Sequence, residues 1–154
     1  MKDAVVALDI DKPIGETFDF RGLQTPGFAG TLGDGLMHVV GMTGRELDDG
    51  SIELFVINYR PSVDAVSGTF ADQASVGANA TIEIFKAEPG ASTIKHVRTV
   101  ADPLIATPNR VAALDRGFYI TNDHGIYKTG LVSELFNPAP PFSTVRIQQE
   151  LTAP

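Results

Sequence analysis

Any metal site in this sequence has to be built from oxygen and imidazole groups. The 154 residues contain no cysteine, which excludes a disulfide framework, a thiolate metal site and a cysteine nucleophile. A metal would be held by carboxylate, amide or imidazole donors, a set that favours hard cations such as calcium. Asn122-Asp123-His124-Gly125 has the composition of a ligand cluster. Its place after an apolar run makes it read as a strand-ending turn, in which Asp123 orders neighbouring loops. Asp48-Asp49-Gly50 lacks the other positions of an EF-hand loop and reads as a hairpin turn. His38, on a short strand, has the setting of a packed or surface histidine. Asn109 follows Pro108 and has the setting of a turn-forming residue. Asn79-Ala80-Thr81 is a glycosylation sequon, which matters only in a secreted protein. No Gly-X-Ser-X-Gly element and no nucleotide-binding loop occurs.

The elements that would carry these residues are strands. Helical periodicity is scarce, and short apolar runs alternate with Gly, Pro, Asp and Asn. Strands are predicted over residues 4–10, 37–42, 51–58, 81–87 and 93–100, with an irregular Gly-rich stretch over 13–35. The run Leu54-Phe55-Val56-Ile57 is continuously apolar, as expected of a strand buried on both faces. Residues 59–79 read as a long surface loop. A hairpin follows, from 109–114 to 118–122, joined by Asp115-Arg116-Gly117. Residues 131–136 fit either a helical turn or a poor strand, and 143–151 a closing strand. The four strands between residues 37 and 100 follow one another in meander order, which is one blade of a β-propeller.

Composition narrows the partners. The net charge is −7 with only 12 Lys and Arg, scattered along the chain, which argues against nucleic acid. No apolar run approaches the roughly 18 residues of a membrane span. The first residues are broken by Asp3 and Asp9 too early for a signal peptide. As it stands the chain is expected in the cytosol, or as an internal piece of a longer secreted protein.

Five segments, in order, resemble the paraoxonase/arylesterase family, particularly its fungal members: Ile52-Glu53-Leu54-Phe55-Val56-Ile57-Asn58-Tyr59-Arg60-Pro61, Val76-Gly77-Ala78-Asn79-Ala80-Thr81-Ile82-Glu83-Ile84-Phe85, His96-Val97-Arg98-Thr99-Val100-Ala101-Asp102-Pro103, Thr107-Pro108-Asn109-Arg110-Val111 and Tyr119-Ile120-Thr121-Asn122-Asp123-His124. The likeness covers about residues 36–130. It implies an all-β fold: a six-bladed propeller with calcium in its central tunnel, related to gluconolactonases and senescence-marker-type lactonases. Only about two to three blades of four-stranded antiparallel meanders would fit in this chain, as a single partial domain over 1–154 with a divergent tail at 131–154.

The resemblance further implies hydrolysis of lactones and aryl esters, with calcium polarising the carbonyl and a nearby base activating water. Asn109 falls where the family places an amide on the catalytic calcium. Arg110 follows it where the family usually has an Asp on a second calcium, and a cation there would repel that ion. His38 falls near the family's proposed base, with Met37 and Val39 replacing the flanking Pro and Gly. Asn58 matches a family Asn, Tyr59 stands where many members have a second His, and both are expected at the substrate. The family's remaining calcium ligands lie outside this chain. The expected partners are a small ester or lactone and, to complete the ring, a second copy or a missing half-propeller. The alternative is a non-catalytic partial propeller that has lost its metal site and acts as a binding or vestigial module.

Overall fold

The computed structural model describes residues 3–11, 15, 17–64 and 66–127, together with the backbone of 12–14 and 143–147. The fold is mostly β. Strands β1 (Val6–Ile14) and β2 (Thr17–Gly22) form an antiparallel hairpin. A four-stranded antiparallel meander follows, made of β3 (Val39–Glu46), β4 (Ile52–Arg60), β5 (Asn79–Ala87) and β6 (Ile94–Val100) in sequential order. A third sheet orders β7 (Pro108–Ala113), β8 (Phe118–Asn122) and β9 (Ser143–Ile147).

The expected four-strand meander is thus present. Its first turn is the Asp-Asp-Gly hairpin, where Gly50 takes φ 78°, a left-handed geometry that glycine adopts without a Cβ clash. The stretch expected to be irregular contains β2. All six β2 residues are exposed, so no burial pattern marks the strand. Gly15 at φ 63° supplies the turn that lets residues 17–22 pair back on β1. The expected 59–79 loop is more organised than a bare connection. It holds a Val63–Phe70 bridge and the one-turn helix α1 (Gln73–Val76), whose Asp72 side chain accepts from the Ala74 N–H. The readings at 131–136 and beyond Ile147 lie outside the described residues.

The two central strands of the meander, β4 and β5, are buried on both faces. In a strand, successive side chains point to opposite sides. One set, Phe55, Ile57, Ile82 and Ile84, packs against Phe118, Ile120 and Ile105. The rings of Phe55 and Phe118 lie 5.3 Å apart at a tilt of 51°. The other set, Val56, Phe85, Ala87 and Ile94, packs against Val5 and Met37, with Leu23 and Phe28 half-buried beside them. Enclosing one such Phe or Ile stabilises the fold by about 1.5–3 kcal/mol, so each face is a core of its own.

The first strands of the second and third sheets lie side by side. A Cβ at Gly41 of β3 would sit 3.3 Å from the Asn109 carbonyl oxygen of β7. Four residues on, the Arg45 guanidinium donates to the Leu114 and Asp115 carbonyls while pairing with Glu53. Contact therefore advances along both strands together, and β3 and β7 run in the same direction.

Candidate functional site

His38 stands immediately before β3, and its side chain is exposed. Its backbone is held on both sides. The His38 N–H donates to Asn58 Oδ1 at 2.9 Å, and its carbonyl accepts from the Tyr59 N–H at 2.9 Å. Val39 next to it donates to Asp3 Oδ2. Of the expected site residues, the structure thus joins His38 directly to Asn58 and Tyr59.

Asn58 itself is 0% exposed. Its Nδ2 donates to Glu83 Oε1 at 3.2 Å, so both ends of the amide are engaged inside the protein. Glu83 is 1% exposed and also accepts from Thr81 Oγ1 at 2.7 Å and Thr99 Oγ1 at 2.5 Å, with His96 Nε2 at 3.0 Å from its Oε2. A buried carboxylate is costly unless paired and hydrogen-bonded, and here four donors surround it. The His96 ring is flanked by Phe28 at 5.3 Å and Phe85 at 5.2 Å.

Strand register explains this convergence. Asn58 faces Thr81 and Val56 faces Glu83 across β4 and β5, so Asn58 and Glu83 are diagonal neighbours on one face. His96 and Thr99 are three residues apart and would point to opposite faces of a regular strand. The register shift at Ile84/Phe85 pairs Ile84 with Arg98 and Phe85 with His96, leaving Val97 without a partner. That bulge turns both His96 and Thr99 toward Glu83. Sequence reasoning assigned no role to Glu83, His96, Thr81 or Thr99. The signal open to it was a Glu between two Ile on a strand central to the meander.

Tyr59 points to the opposite face and packs against the Phe55–Phe118 cluster. Burial, and then the negative charge of Asp123, push ionisation of its hydroxyl above the ordinary tyrosine range. It borders a small cavity of about 40 Å³ with Arg60, Gln73, Asn79 and Thr107. Asn79 donates its Nδ2 to the Pro61 carbonyl and accepts from Arg60 Nη2, so the sequon nitrogen is engaged in the fold. The Asn122-Asp123-His124 segment ends β8 as expected. Asn122, 4% exposed, accepts from the Ala106 and Thr107 N–H groups and donates to the Leu104 carbonyl. It orders the loop that leads into β7.

Asn109 is exposed and lies in the register shift between Pro108 and Arg110 on β7. Arg110 beside it is exposed too. The Asn109 amide offers one hard oxygen, whereas calcium takes about six to eight. Among the described residues, no three His, Cys, Asp or Glu side chains group closely enough to hold a metal. Among them, no helix is long and apolar enough to cross a membrane. In comparisons with known proteins, no protein-family model matches the chain, and no curated protein matches it at a significant level.

Proposed function

We propose that this chain is part of a β-propeller of the paraoxonase/arylesterase kind and serves the hydrolysis of small lactones and aryl esters. The observation that carries the proposal is the placing of His38 and Asn109 at the heads of two adjacent strands that run in the same direction. Innermost strands of successive blades have this relation around a propeller axis. The meander, covered on one face by β7 and β8 and on the other by Val5, Leu23, Phe28 and Met37, supports the same reading. His38 lies three residues before Gly41, about 10 Å along an extended chain from the Asn109 contact. In this reading the exposed imidazole accepts a proton from the water that attacks the ester carbonyl carbon. Asn109 lends an amide oxygen to a calcium ion whose other ligands come from beyond the described residues. When bound, that ion polarises the carbonyl.

The test is hydrolysis of phenyl acetate and a small lactone by the full chain, in calcium and in EDTA, with His38→Gln alongside. The reading expects an EDTA-sensitive rate that the substitution lowers about 100-fold. A rate indifferent to EDTA and to His38→Gln sinks it. Arg110 beside Asn109 favours a second reading, a non-catalytic partial propeller without its metal. Tight calcium binding by the full chain in calorimetry counts against that alternative.

A further inference from the structure

We infer that Glu83 is a positioning residue. Through Asn58 it fixes the backbone of His38, although its own carboxylate lies a strand away. The argument turns on which way the Asn58 amide points. A carboxylate offers only acceptors, so Glu83 Oε1 selects the NH2 end of Asn58. That leaves Oδ1 for the His38 N–H. Rotated by half a turn, the amide would set oxygen against carboxylate and NH2 against N–H, and both bonds would be lost. Thr81 donates to Oε1, and Thr99 and His96 meet Oε2. The carboxylate is thereby pinned, and one polarity runs from β6 through β5 and β4 to the head of β3.

The functional consequence rests on the proposed role of His38, but the geometry can be tested without it. The probe is amide hydrogen exchange at His38 in the full chain, for the wild type, Glu83→Gln, Asn58→Asp and the double variant. Glu83→Gln keeps an oxygen for Asn58, so His38 should stay within about threefold of wild-type protection. In Asn58→Asp two carboxylates face each other and hold together only by sharing a proton. Its His38 protection should fall at least tenfold between about pH 5 and pH 8 relative to wild type, while the Phe118 and Ile120 amides hold. The titratable groups around the network are His96 on β6 and His38 and Asp3 beside the head of β3. Asp3 and His38 are common to all four proteins, and Glu83→Gln alone controls for the loss of the His96–Glu83 pair, which the double variant shares. In the double variant the introduced Gln NH2 faces the introduced carboxylate, and protection should return to within about threefold at both pH values.

If Asn58→Asp does not fold at the higher pH, the double variant must fold there. The inference is overturned if Asn58→Asp leaves His38 unchanged, if the double variant is no better than Asn58→Asp, or if protection falls equally throughout β7 and β8. Phenyl acetate kcat should follow His38 protection across the set. A chain that shows the exchange pattern but hydrolyses nothing refutes the proposed function and leaves the positioning intact.

Discussion

The two faces of the β3–β6 meander are buried by different means. Toward β7 and β8 the contact is apolar: Phe55, Ile57, Ile82 and Ile84 meet Phe118 and Ile120. Toward Val5, Met37 and Phe28, the apolar residues Val56, Phe85 and Ile94 share the interface with Glu83, Asn58, Thr81 and His96. The first face is set by volume and shape, and apolar groups of similar size can substitute there. The second has a directional network, in which a neighbour of the right size but the wrong hydrogen-bonding character leaves buried groups unsatisfied. The second face also holds the chain at His38, so the polarity that is costly to bury coincides with the segment the proposed chemistry needs.

Substitutions on each face can break that contrast. The largest expected loss is on the apolar face: Phe55→Ala or Phe118→Ala should cost about 3–5 kcal/mol in denaturant unfolding, because each leaves a cavity at the paired rings. Next is Glu83→Met, similar in length but without acceptors, which should cost about 3 kcal/mol by leaving Asn58, Thr81 and His96 facing a thioether. Glu83→Gln should cost about 1 kcal/mol. If Met were tolerated as well as Gln, the second face would be no different in kind from the first. Gly41→Ala should cost about 1 kcal/mol, since its Cβ would stand 3.3 Å from the Asn109 carbonyl oxygen and push β3 from β7. A stabilised Gly41→Ala variant would contradict the close approach of those strands.

The smallest effect is at the first turn of the meander, outside both cores. The Lys86 ammonium, and then the Ser51 hydroxyl and N–H, hold the Asp49 carboxyl well below the usual carboxylate range. A depressed folded value means that Asp49 favours the folded state above the unfolded value of about 3.9. The advantage is lost as the pH drops below that toward the folded value. The melting temperature of wild type should therefore exceed that of Asp49→Asn slightly at neutral pH, and the gap should close in acid. Because the pair is exposed, added salt should also shrink it. A gap that widens in acid would reverse the assigned sign.

Local pattern revealed the meander because its turns and apolar runs are local features. Asp49-Gly50 closes the first hairpin, and the unbroken apolar run Leu54-Phe55-Val56-Ile57 implies burial on both sides whatever covers it. The hairpin from β7 to β8 was legible for the same reason. What covers each face is not local. Glu83 between Ile82 and Ile84 reads as a residue facing water, because Val5, Met37 and Phe28 lie far away in sequence. The bulge at Val97 left no mark in the sequence, yet it alone brings His96 and Thr99 to the same carboxylate. β2 carries a legible alternation, Phe18-Asp19-Phe20-Arg21, but it stands inside a Gly- and Pro-rich stretch, and both Phe side chains are exposed. Of the expected site residues, His38 and Asn109 are exposed, whereas Asn58 is enclosed in the network.

The central claim is that His38 and Asn109 serve one site from the heads of neighbouring strands. A double-mutant cycle tests it most directly, with kcat/KM for phenyl acetate measured in calcium for wild type, His38→Gln, Asn109→Ala and the pair. Residues that act as a unit are not additive. Each single variant should lose about 100-fold, and the pair should be no worse than the worse single. Full activity in either single variant, or losses that multiply in the pair, would contradict the account.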